Sequence, residues 1–198
     1  MLNTEENIPV IKLLQQLSPY VPYTNENIEI FLQYFQVKII KKKQAFLTPG
    51  YLTKYVGWVN SGCLRSYTLD DNGFEHILQF APDNWWITDM LGFVKQTQGC
   101  LYVDAVLDSE LLVLTRENQL KLFKEIPAFE SYFRTITENA LISTQLRLMS
   151  NLSAPAAERY QNFCTTYPNL INIIPQKQVA AFIGVTPEFL SKLKKQNS

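Results

Sequence analysis

The chain has 198 residues with 18 basic and 18 acidic side chains and is 46% hydrophobic, enough apolar content for one or two buried cores. Its 3 cysteines stand far apart and its histidine is single, which excludes a disulfide framework, a Cys-x-x-Cys metal site and a multi-histidine metal centre. No run of about 18 apolar residues occurs, and the start Met1-Leu2-Asn3-Thr4-Glu5-Glu6-Asn7 has neither the basic nor the apolar region of a secretory leader. A cytoplasmic protein with reduced thiols and no membrane partner is expected.

Residues 5–17 and 24–35 carry apolar positions at helical spacing, Ile8, Ile11, Leu14 and Leu17 in the first, Ile28, Phe31, Leu32 and Phe35 in the second. Pro19 and Pro22 separate the two predicted helices. From Val37 to Thr115 the signal changes to short β-rich runs cut by Pro49-Gly50, Asn60-Ser61-Gly62, Asp71-Asn72-Gly73, Pro82-Asp83-Asn84 and Gly99. Strands at Leu101–Leu107 and Glu110–Leu114, and a hairpin turning at Asp71-Asn72-Gly73, suggest a sandwich or barrel. Lys41-Lys42-Lys43 reads as a solvated strand edge. The fold class is therefore α+β.

After Pro127 the pattern is helical to about Leu152 with no Gly or Pro. Phe129, Phe133, Ile136, Ala140, Thr144, Leu148 and Leu152 form one stripe, and Ile142, Leu146 and Met149 an adjoining one. A face that wide needs covering on two sides, one by the chain's own β-region and the other by the same helix of a second subunit. Phe133, Ile136, Ala140, Thr144 and Leu148 are the expected two-fold contact.

The stretch Pro175–Lys195 reads as a helix-turn-helix. Val179, Ala180, Phe182 and Ile183 give a short amphipathic helix, Gly184 permits a left-handed turn, and Val185 fills the angle. Thr186 is a good N-cap, Pro187 suits the first helical position, and Phe189, Leu190 and Leu193 form the expected buried stripe. Glu188, Ser191, Lys192 and Lys195 lie opposite it. Residues 151–198 are net +3 and residues 1–150 net −3, the layout of a modular DNA binder.

Pro175-Gln176-Lys177, then Ala180, Gly184-Val185-Thr186-Pro187-Glu188, Leu190, Ser191 and Lys192, resemble the helix-turn-helix of the cyclic-AMP receptor protein and Fnr (Crp/Fnr) superfamily of bacterial transcription regulators. Gly62, Arg65, Tyr67, Gly73 and Glu75 are similar, in order, to that superfamily's cyclic-nucleotide-binding β-roll, and the likeness is greatest to its short Bacteroidetes-type members. The resemblance covers about residues 25–195. It implies a β-roll sensor with flanking helices over residues 1–126, a dimerisation helix over 127–153, a DNA-binding domain over 154–198, and a homodimer on a palindromic operator in double-stranded DNA. It implies that Thr186, Glu188, Ser191 and Lys192 face bases or adjoining phosphates, and that Gln176, Lys177 and either Lys194 or Lys195 touch phosphate. Pro187 stands where several relatives carry a base-reading arginine. Residues 172–174 are too short for the β-hairpin wing many relatives use on phosphate.

The effector segment departs from the pattern. Where cyclic-nucleotide binders carry Gly-Glu for the ribose and then Arg-Ser or Arg-Thr for the phosphate, this chain has Thr88-Asp89 and Gly99-Cys100. A buried phosphate needs a charge-assisted partner, and no arginine lies between Arg65 and Arg116. Cyclic AMP in the usual mode is not expected. Trp85, Trp86, Phe93 and Tyr102 with Asp89 would line either a site for an unidentified effector or a closed core. No cofactor or metal is implied. A cupin-like metalloenzyme would need clustered histidines that the chain lacks, no hydrolase elbow or Walker loop appears, and the chain is not expected to be an enzyme. The remaining alternative is a sensor acting through protein contacts with little operator binding.

Overall fold

The computed structural model describes residues 4–196. Helices α1 (Thr4–Leu17) and α2 (Asn25–Tyr34) open the chain. Thr24 starts α2 by accepting the Asn27 N–H at 3.2 Å, filling one of the helix's free donors. Leu14, Leu17, Ile28, Phe31 and Phe35 are buried as the spacing predicts and Ile11 and Leu32 are half-buried, but Ile8 is 56% exposed, and Val10 and Leu13 complete the inner face of α1 instead.

Eight strands follow: β1 (Gln36–Ile40), β2 (Ala45–Leu47), β3 (Tyr55–Ser61), β4 (Cys63–Leu69), β5 (Glu75–Pro82), β6 (Trp86–Ile87), β7 (Tyr102–Ala105) and β8 (Ser109–Thr115), with the short helix α3 (Met90–Lys95) between β6 and β7. They form two four-stranded sheets, ordered β1-β8-β3-β6 and β2-β7-β4-β5. β8 pairs antiparallel with both β1 and β3, Val113 lying opposite Gln36 on one side and Gly57 on the other. The Lys41-Lys42-Lys43 run lies in the turn between β1 and β2, where Lys43 has φ +68° and Lys41 pairs with Asp108 at 3.1 Å.

The continuous apolar run Leu111-Leu112-Val113-Leu114 has a simple cause: successive side chains on a strand point to opposite faces, and this strand is covered on both. Leu111 and Val113 point into the roll with Ile40, Leu47, Val59, Leu64, Ile87 and Val103. Leu112 and Leu114 point the other way, with Val56 and Trp58, onto α1, α2, α4 (Arg116–Glu125) and the start of α5 (Pro127–Ser153). Phe129, Tyr132 and Phe133 of α5 are buried in that second core, where Phe133 meets Trp86 edge-on at 5.2 Å.

Two compact units result, one made of residues up to 66 together with 80–136, the other of residues 67–79 together with 137 onward. The second unit holds the tip of the β4–β5 hairpin, the rest of α5, α6 (Ala156–Thr166), α7 (Gln176–Ile183) and α8 (Pro187–Gln196). Its core is Phe163, Tyr167, Leu170, Ile174, Val179, Ala180, Ile183, Leu190 and Leu193. Phe163, Tyr167 and Phe182 pack pairwise with ring centroids 5.3 to 5.6 Å apart.

Candidate functional site

The turn between α7 and α8 is fixed by its own residues. Gly184 ends α7 in the left-handed region at φ +69°, ψ 44°, a conformation that side chains with a Cβ disfavour. The Val185 N–H then returns to the Ala180 carbonyl at 3.0 Å. Thr186 accepts the Phe189 N–H at 3.2 Å, and Pro187, which has no N–H to satisfy, takes the first position of α8.

This start sets the rotation of α8. Leu190 and Leu193 are turned inward, 0% and 8% exposed, while Thr186, Glu188, Ser191, Lys192 and Lys195 are exposed. Gln176 and Lys177 are exposed at the start of α7, and Lys194 is half-buried with its ammonium 6.0 Å from the Tyr160 ring. Lys194 and Lys195 also lie in the last turn of α8, where positive charge complements the helix dipole. Phe189 corrects the sequence reading: it is 49% exposed rather than part of the buried stripe. Leu190 and Leu193, three residues apart, already fill the inner face, and Phe189 is rotated about 100° from Leu190 onto the flank.

A residue that sequence reasoning missed holds α7 in place. Arg147 of α5 donates to the Ile77 carbonyl at 2.6 Å, to the Phe182 carbonyl at 3.0 Å and to the Leu78 carbonyl, and its guanidinium lies 3.9 Å from the centre of the Phe182 ring. Its one signal in the sequence was a lone charge in the otherwise neutral stretch 139–153.

The α5 residues expected at a two-fold contact separate into two groups. Phe133 is buried and Ile136 packs against the same core, so Phe133 is withdrawn from the expected seam by Trp86, Phe123 and Phe129 of its own chain. Ala140, Thr144 and Leu148 are exposed, alongside Leu141, Ile142, Leu146, Met149 and Leu152, which are 53% to 80% exposed.

The expected effector residues are likewise divided. Asp89 is 1% exposed and caps α3, accepting the Gly92 N–H at 3.2 Å, the Cys100 N–H at 2.5 Å and the Leu101 N–H at 2.8 Å. Burial alone would raise its carboxyl pKa, but these backbone donors outweigh burial and hold it below the usual carboxylate range. Gly99 lies against this carboxylate: a Cβ there would come 2.8 Å from Asp89 Oδ2 and 2.6 Å from Thr53 Oγ1. Trp86 points instead into the helical core and donates to the Tyr132 hydroxyl at 2.9 Å, and Thr88 donates to the Tyr55 carbonyl at 2.9 Å. Trp85 and Cys100 are exposed and Tyr102 is half-buried. A depression of about 410 Å³ opens beside this segment, lined by Phe46, Leu47, Thr48, Tyr51, Leu52 and Thr53. The Arg65 guanidinium grips Asp104 with two bonds, at 2.8 and 3.1 Å. Among the described residues no group of three or more His, Cys, Asp or Glu side chains is placed to hold a metal ion, and no helix is long and apolar enough to cross a membrane.

No family model matches the chain, and none of the curated proteins does. Solved structures do match. The c-di-GMP responsive global regulator CLP of Xanthomonas campestris superposes with a TM-score of 0.71 at 14% identity, over 87% of this chain and 91% of that one. FixK2 from Bradyrhizobium japonicum gives a TM-score of 0.71 at 18% identity, over 82% and 83%. A protein from Eubacterium rectale assigned to the Crp/Fnr family of transcriptional regulators gives 0.68 at 16%, over 90% and 87%. A roll of two four-stranded sheets, a 27-residue helix after it and a capped helix-turn-helix in the second unit thus give this chain the fold of the Crp/Fnr transcription regulators.

Proposed function

We propose that the chain is a homodimeric, cytoplasmic transcription regulator rather than an enzyme, with residues 1–126 as sensor, 127–153 as dimerisation helix and 154–198 as the module that reads a palindromic operator. The observation that carries this reading is α8, whose capped start turns Leu190 and Leu193 inward and leaves Glu188, Ser191, Lys192 and Lys195 on one outer face. Such a helix fits a major groove, where Glu188 accepts from a cytosine amino group and Lys192 donates to guanine. Gln176, Lys177 and Lys195 supply phosphate contacts, which set affinity without reading sequence.

For the sensor, the supporting facts concern donors and charge. The N–H groups of Gly92, Cys100 and Leu101 already serve the Asp89 carboxylate, an anion of the chain's own. The Arg65 charge is matched by Asp104, and Gly99 has no room for a side chain where relatives place their arginine. Cyclic AMP therefore lacks its usual partners here, and an unidentified effector would use the depression beside Tyr51 or no site at all.

The second reading, a sensor acting through protein contacts, draws on residues 167–175, which form turns with no β-hairpin wing. Binding selection on random duplexes distinguishes the two. Glu188→Ala should relax preference at one base pair per half-site, by about 1–3 kcal/mol of discrimination. Lys195→Ala should weaken all sequences alike and lower the salt slope by about 1. A selected motif that Glu188→Ala leaves unchanged removes α8 as the reader.

A further inference from the structure

Phe189 is poorly explained by folding. The large apolar side chains of residues 154–196 are mostly covered, and Phe189, with Ile173, is one of two large hydrophobics exposed there among the described residues. Its place makes the exposure informative. It is the third residue of α8, one step from Glu188 and three before Lys192, and the Thr186 cap fixes its backbone through the Phe189 N–H itself. Residues three apart are neighbours on a helix surface, so the ring flanks Lys192. The first turn of a recognition helix is also the part that meets base edges.

Chemistry narrows what the ring would meet in a major groove. Phosphates offer an aromatic hydrocarbon nothing, and base edges are donors or acceptors with one exception, the 5-methyl group of thymine. Glu188 and Lys192 read amino and carbonyl groups, so neither recognises that methyl group. We infer that Phe189 is a specificity-determining residue that covers the thymine methyl group next to the base pair read by Lys192. This inference rests on the proposal that α8 reads DNA.

The full-length wild type would be used to select a motif, and each thymine in it would then be replaced in turn by deoxyuridine, which deletes only the methyl group. One thymine per half-site should lose about fourfold in affinity on replacement, the worth of one buried methyl group. Phe189→Ala should bind thymine and uracil duplexes equally, and Phe189→Leu should keep part of the difference. A uracil penalty that is the same in wild type and Phe189→Ala, or absent from both, overturns the inference alone. Failure of the wild type to select any motif overturns the DNA reading and this inference with it. If Phe189→Ala instead changes the sedimentation of the free protein, the ring belongs to a contact between copies and the inference is also overturned.

Discussion

Asp89 shows how one buried side chain can close a region that its sequence position advertises as open. Its carboxylate joins the start of α3 to Cys100 and Leu101, eleven and twelve residues on, through charge-assisted bonds. Asp89→Asn keeps the shape but presents an amide that has one acceptor oxygen and turns N–H groups toward N–H groups. With buried donors left unsatisfied, it should cost about 3 kcal/mol at pH 7. Because the folded carboxyl is depressed relative to the unfolded one, this stabilisation is present above the unfolded pKa of about 3.9 and is lost as pH falls through the folded value. Urea melts of wild type and variant should therefore differ widely at pH 7, and the difference should shrink as the pH is taken below about 3.9. Equal stabilities at pH 7 would contradict the role given to Asp89.

At the level of elements, α5 changes character along its 27 residues. Its first two turns belong to the core of the first unit through Phe129, Tyr132 and Phe133. Past Thr137 the helix carries an apolar surface that nothing in its own unit covers, from Leu141 at 59% exposed to Leu152 at 80%. The Thr144 hydroxyl turns back to the Ala140 carbonyl at 2.8 Å, so its polar group is satisfied within the helix and a smooth face remains. On the proposed reading this exposed surface is the two-fold contact. Ala140→Glu or Thr144→Glu should bury an unpaired charge in that interface, giving monomers in sedimentation at tens of micromolar while the helical circular dichroism is kept. A wild type that is already monomeric at that concentration excludes the dimer.

For the molecule as a whole, the test is whether ligand binding at the roll is linked to folding. Ligand that binds the native state raises stability by RT ln(1 + [L]/Kd), about 2.7 kcal/mol at a hundredfold excess over Kd. Cyclic AMP and cyclic GMP at millimolar concentration should leave the melting temperature unchanged, because the Arg65 charge is matched by Asp104, the Cys100 N–H serves Asp89, and Gly99 offers no side chain to a phosphate. A saturable rise at micromolar cyclic AMP would overturn that reading of the roll.

Local chemistry made much of this architecture readable in advance. Both N-terminal helices, the turn at Asp71-Asn72-Gly73, the long helix after Pro127 and the α7–α8 corner follow from hydrogen bonds and steric preferences acting within about four residues. Gly184, Thr186 and Pro187 determine where α8 starts by themselves, and hence which residues it offers outward. The allegiance of individual side chains was not readable in the same way. Phe133 lies on the same stripe as Ala140, yet one enters a core and the other stays in solvent, because only the first has Trp86 and Phe123 folded over it. Arg65 meets a partner 39 residues away and Arg147 two carbonyls about 70 residues away. Such contacts depend on which strands become neighbours, and strand order is set by the packing of whole sheets rather than by the residues flanking each charge.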